Sequence, residues 1–120
     1  MSIRSTLESM VTGADGGLAA LVMGYDGVSL GEYCVGPNIA DLQLISIEYA
    51  PIVREIRRTL EIIQRGELEE VTVTSGNSAV FIKTMTDNLF SILIMKRDGA
   101  IGRGRYLLKL KTYELLRELS

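Results

Sequence analysis

Apolar and polar positions along the 120-residue chain change period several times, and each change marks an element. From Ser2 to Val11, Ile3, Leu7 and either Met10 or Val11 share one helical face, with Ser2 placed as N-cap. Gly13, Gly16 and Gly17 end that helix. The run "LAALVMGY", Leu18 to Tyr25, is apolar on both alternating faces, the pattern of a strand covered on both sides. Asp26-Gly27 is a strong hairpin signal, and "VSLGEYCV" after it predicts a second strand, whose Gly31 and Glu32 suit a sheet edge.

Gly36, Pro37 and Asn38 break the chain before a long helical pattern from Ile39 to Arg65. Leu42, Ile45, Tyr49, Ile52, Ile56, Leu60 and Ile63 recur at steps of three and four, a stripe roughly 40 Å long at about 1.5 Å per residue. Pro51 removes a backbone donor inside it, so the helix either kinks there or restarts; a kinked single helix is the favoured expectation. Three strand-like runs follow: "LEEVTVTS" (Leu68 to Ser75), "SAVFIKTM" (Ser78 to Met85) and "LFSILIMK" (Leu89 to Lys96). Gly76-Asn77 and Asp87-Asn88 between them predict antiparallel hairpins. The first run alternates as an edge strand does, whereas the last is apolar on both faces and belongs at the centre. A closing helix from Arg103 to Leu119 is expected to present Leu107, Leu110 and either Tyr113 or Glu114, then Leu116 or Arg117, with Leu108 and Leu115 widening its apolar face.

The predicted order is therefore αββαβββα over a single α/β domain, residues 1–120. Two strands that are apolar on both faces require helices on both sides of one five-stranded sheet, and seating both at the centre gives the order 2-1-5-4-3.

Composition narrows the function. Hydrophobic residues make up 47% and charged residues 23%, ordinary for a folded domain. The net charge of -2 repels phosphate backbones and anionic lipid, so neither nucleic acid nor membrane insertion is expected. The first residues lack the apolar core of a signal peptide and Cys34 has no disulfide mate, which makes the cytoplasm the expected location. Without histidine, and with one cysteine, the chain has no inventory for zinc sites or nucleophile–histidine triads. No cofactor or metal is expected, and an enzyme here would have to work with carboxylates, lysines or backbone amides alone.

The stretch "MKRDGAIGRGRYLLKL" places Gly99, Gly102 and Gly104 between strand and helix, the layout of many phosphate sites. Its spacing matches neither the dinucleotide fingerprint nor the phosphate loop of nucleotide hydrolases. The reading is that these glycines supply unusual backbone angles and close approach, with Arg103 and Arg105 left to touch an anion or a partner. Glu67, Glu69 and Glu70 read as a solvated strand end, and Cys34 as a small, at least half-buried apolar residue.

The chain resembles the roadblock/light-chain-seven family, and within it the small bacterial members that associate with Ras-like GTPases. "GGLAALVMGYDGVSL" is similar to the family's first hairpin, "VTVTSGNSAVFIKTMTDNLFSILIM" to its three-strand meander, and "DGAIGRGRYLLKL" to the lead into its last helix. The resemblance implies a three-layer αβα fold, with the long helix on one face of the sheet and the terminal helices on the other. It also implies a homodimer that pairs the third strand of each copy edge to edge. The alternating strand at Val71, Thr72, Val73 and Thr74 independently looks like an edge that is paired or covered. Leu44 and Ile47, off the main stripe of the long helix, add apolar surface for a second helix.

In similar dimers the long helices receive the switch region of a small GTPase. Arg54, Arg57, Arg58 and Glu61 are the partner-binding candidates here, Arg57 and Glu61 also being an i to i+4 pair. The resemblance implies a non-enzymatic homodimer that binds a Ras-like GTPase and modulates its nucleotide cycle or location. The alternative is a purely structural dimerising adaptor in a motility or signalling complex, without effect on GTP turnover.

Overall fold

The computed structural model describes residues 2–36, 39–97 and 100–119; Pro37, Asn38 and Gly99, named above, lie outside the described residues. Its elements are α1 (Ile3–Gly13), β1 (Gly17–Gly24), β2 (Ser29–Cys34), α2 (Ile39–Ile62), β3 (Glu70–Thr74), β4 (Ser78–Thr84), β5 (Leu89–Lys96) and α3 (Ile101–Leu119). The five strands form one antiparallel sheet in the expected order, β2-β1-β5-β4-β3.

Strand alternation divides the core into two layers. On one face Ala20 and Val22 of β1, Ala79 and Phe81 of β4, and Leu93 and Met95 of β5 meet Leu7, Met10 and Val11 of α1 and Leu107, Leu108 and Leu115 of α3. On the other, Leu21, Met23, Val80, Ile82, Phe90, Ile92 and Ile94 meet Leu42, Ala50 and Val53 of α2. The doubly apolar β1 and β5 therefore occupy the centre for the reason their pattern gave, since each face has its own helical cover.

Helix α1 is fixed by its cap. The Ser2 hydroxyl accepts from the Ser5 amide at 3.1 Å while the Ser5 hydroxyl accepts from the Ser2 amide at 3.0 Å, a reciprocal pair that satisfies two otherwise unpaired donors. Ser2→Ala should lower thermal stability by about 1 kcal/mol, measurable as a small drop in the melting midpoint.

Helix α2 runs through Pro51 as one element, so it does not restart there. It stops at Ile62, short of the expected Arg65, because Gln64 takes a left-handed φ of 55°. Its buried face also differs from the expected stripe. Leu42, Ser46, Ala50 and Val53 are buried, whereas Ile52 and Ile63 are exposed.

Helix α3 starts two residues earlier than expected, at Ile101, and is rotated relative to the predicted face. Gly104, Leu107, Leu108, Thr112 and Leu115 point inward, while Leu110 and Tyr113 are exposed. Gly104 sits closest to the sheet: a Cβ at that position would meet the sulfur of Met95 on β5 and push that side chain aside, so glycine lets the first turn lie against the sheet without moving it. Gly102 and Gly104 both sit inside the helix, so of the two roles read for the glycine cluster Gly104 serves the close approach.

Candidate interaction surface

Among the described residues no group of His, Cys, Asp and Glu is placed to hold a metal, and no helix is long and apolar enough to cross a membrane. What the fold presents is a helix flank, an open strand edge and the loops at one end of the sheet.

At that end Arg57 is the organising residue. Its guanidinium donates to the Asp87 carbonyl, lies 3.5 Å from the Asp87 carboxylate and 3.8 Å from Glu61, and sits 4.9 Å from the centroid of the Tyr25 ring. Tyr25 is buried and packs in turn on Phe90, ring centroids 4.9 Å apart. Burial pushes the pKa of the Tyr25 phenol above the ordinary tyrosine value, against the pull of the Arg57 charge, so the phenol stays protonated more readily. The cluster ties α2 to the β4–β5 turn and walls a shallow cleft of about 180 Å³ that also takes in Glu67, Leu68, Thr84, Met85 and Thr86. Next to it Ile47, Pro51 and Arg54 face Tyr25 and Asp26 across a smaller cleft.

The four partner-binding candidates thus separate. Arg54 is exposed on the cleft rim. Arg58 is exposed and pairs with Glu55 at 3.0 Å. Arg57 and Glu61 do form the expected i to i+4 pair, but Arg57 is half-buried and engaged in holding the loop end of its own chain. Sequence reading missed Asp87 and Tyr25 as its partners because nothing in the pattern brings residues 30 positions apart together.

The edge candidates lie on β3, which pairs with β4 alone. Register decides which of its backbone groups are open. The Ser75 amide donates to Ser78 and the Thr84 amide to Glu69, which makes 75–78 and 69–84 hydrogen-bonded pairs of the antiparallel ladder. Such pairs alternate, so Val71–Ile82 and Val73–Val80 are bonded too, and Glu70, Thr72 and Thr74 aim their N–H and C=O groups outward. Val71 packs on the α2 layer and Val73, of the same parity, faces that side half-exposed. Leu44 and Ile47 of α2 are 57% and 62% exposed. Open backbone groups and uncovered apolar side chains therefore occur on β3 and on the α2 side of the sheet.

Of the other residues singled out in the sequence, Arg105 pairs with Glu70 and the Arg103 Nε donates to the Gly13 carbonyl at 2.8 Å, so both make contacts within the chain. Glu67 and Glu69 are exposed, and the Cys34 thiol donates to the Gly36 carbonyl at 3.2 Å from a half-buried position.

No family model and no curated protein matches the chain. Solved structures do. MglC from Myxococcus xanthus is similar at 32% identity and a TM-score of 0.71, over 98% of this chain and 99% of that one. A roadblock/LC7 domain from Streptomyces avermitilis superposes with a TM-score of 0.87 at 12% identity, over 99% and 98% of the two chains. Gliding protein MglB from Thermus thermophilus gives 0.84 at 14% identity, over 95% and 85%.

Proposed function

Because the chain belongs to the roadblock/LC7 family, we propose that it acts as a non-enzymatic, homodimeric regulator of motility type, binding a Ras-like small GTPase and modulating its nucleotide cycle or location. The observation that carries this reading is the β3 edge. Glu70, Thr72 and Thr74 offer a row of unpaired backbone groups with no proline or lysine in the strand to block them. Antiparallel pairing with the same edge of a second copy satisfies those groups by twofold symmetry and extends the sheet across both protomers. Val71 and Val73, with Leu44 and Ile47 of α2, supply apolar area for the joined surface, and the two α2 helices become one platform.

The GTPase contact is assigned to Arg54 and Arg58 on the outer side of α2, with Arg57 and Glu61 shaping the surface from below. Arg54→Glu combined with Arg58→Glu should weaken binding about tenfold, chiefly through slower association at low salt, while leaving the dimer intact. Surface plasmon resonance against Ras-like GTPases from the same genome, with GTP turnover followed in parallel, checks it. Affinity that stays unchanged favours the second reading, a structural dimerising adaptor. That reading draws support from Arg57, the central cation of the flank, being already engaged inside its own protomer.

A further inference from the structure

The last helix carries a surface that neither the core nor the proposed α2 platform uses. Opposite the inward face of α3 stand Tyr106, Leu110, Tyr113 and Arg117, at steps of four, three and four, flanked by Arg103 and Lys109. At about 100° per residue all six fall within an arc of roughly 120°. Tyr106 and Tyr113 are each 61% exposed and Leu110 is 43% exposed. The arc contains no acidic residue. Both acids of α3 are held at its inner margin, Glu114 against Lys111 at 3.3 Å and Glu118 accepting from Thr6 of α1 at 2.7 Å. Two aromatic rings, an aliphatic side chain and only positive charge thus share one face of a chain whose net charge is -2.

We propose that this face of α3 docks an acidic amphipathic helix from another protein. Tyrosine and arginine dominate the energetic centres of interfaces, and apolar groups at i, i+4 and i+7 are the spacing at which one helix reads another. The partner's apolar stripe lies over Leu110 between the two tyrosine rings, and its Asp and Glu side chains meet Lys109 first, with Arg103 and Arg117 adding positive charge beside it while each keeps the contact it already makes within the chain. From Arg103 to Arg117 the face spans about 21 Å, which matches a partner helix of about four turns. Charge selects this occupant over two others. A second copy of α3 would set like charges against each other. A lipid surface calls for a broader apolar face rich in Trp, Phe and Leu than two tyrosines and one leucine provide. The site is independent of the proposed dimer and GTPase contact, because α3 and α2 cover opposite faces of the sheet; both can be engaged at once.

The test uses the full chain and two fluorescein-labelled designed helical peptides of about five turns, sharing one leucine stripe and carrying either glutamate or lysine elsewhere. By anisotropy the glutamate peptide should bind about tenfold more tightly than the lysine peptide, and added salt should weaken it. Tyr113→Ala should reduce its affinity about tenfold, Lys109→Glu should narrow the preference between peptides, and Thr72→Pro on β3 should change neither. Tyr113 and Lys109 are exposed, so circular dichroism should show both variants folded. Equal affinity for the two peptides would overturn the proposal, as would insensitivity to Tyr113→Ala. So would Tyr113-dependent binding to phosphatidylglycerol vesicles without peptide binding, or self-association that Tyr113→Ala removes.

Discussion

Phe90→Ala should destabilise the protein by about 4 kcal/mol and lower its melting midpoint by roughly 15 °C. Phe90 is completely buried on the central strand β5, where it stands between Met23 of β1 and Thr84 of β4. Its ring packs at 53° to that of Tyr25, over which the Arg57 guanidinium also lies. Truncation to alanine removes more apolar contact than any aliphatic deletion in this layer and opens a cavity under Tyr25. The ring that seats Arg57 then loses its support. The loss should therefore extend to the β4–β5 turn, which Arg57 holds through Asp87. Phe90→Leu, which keeps most of the volume, should cost only about 1.5 kcal/mol. Urea unfolding followed by circular dichroism distinguishes the two variants.

Thr72→Pro should convert the proposed dimer to monomers, with association weakened by roughly a hundredfold or more and each chain still folded. The Thr72 amide points away from β4, so proline removes a donor from the open edge without touching the ladder inside the protomer. Val73→Pro is the informative contrast. Its amide points toward Val80, so the same substitution one residue on should break a β3–β4 bond and destabilise the protomer itself. Light scattering reads the first effect and thermal unfolding the second. Neighbouring prolines with opposite consequences would establish which side of β3 a second copy uses.

How far the sequence carried depended on whether neighbouring signals agreed. The sheet order followed from β1 and β5 being apolar on both faces, because an antiparallel strand with no polar side can sit only between helical layers. The Ser2 cap was likewise legible, since hydroxyls at the cap and three residues on leave one geometry for the first turn. Helix phase was harder. In α2 the adjacent Ile52 and Val53 make two apolar stripes available, and the buried one is that with Ser46 and Ala50, small enough to let the helix approach the sheet. A count of large apolar residues favours the other stripe. In α3 the inner face includes Gly104 and Thr112, neither of which registers as hydrophobic, so Leu110 with either Tyr113 or Glu114 was expected inside, whereas Leu110 and Tyr113 stand outside. The Arg57 cluster had no local signal, because its parts come from the β1–β2 turn, α2 and the β4–β5 turn. The outward groups of β3 were half legible: alternation identified an edge, but only the register with β4 showed that Thr72 and Thr74, not Val73, carry its open donors.

Sedimentation equilibrium of the unmodified chain at micromolar concentration tests the platform most directly. The account predicts a particle of about twice the 13.2 kDa chain mass, reduced to the single-chain mass by Thr72→Pro. A 13.2 kDa particle in the unmodified protein, with the Thr72 and Thr74 amides exchanging as freely as solvent-facing backbone, would contradict it.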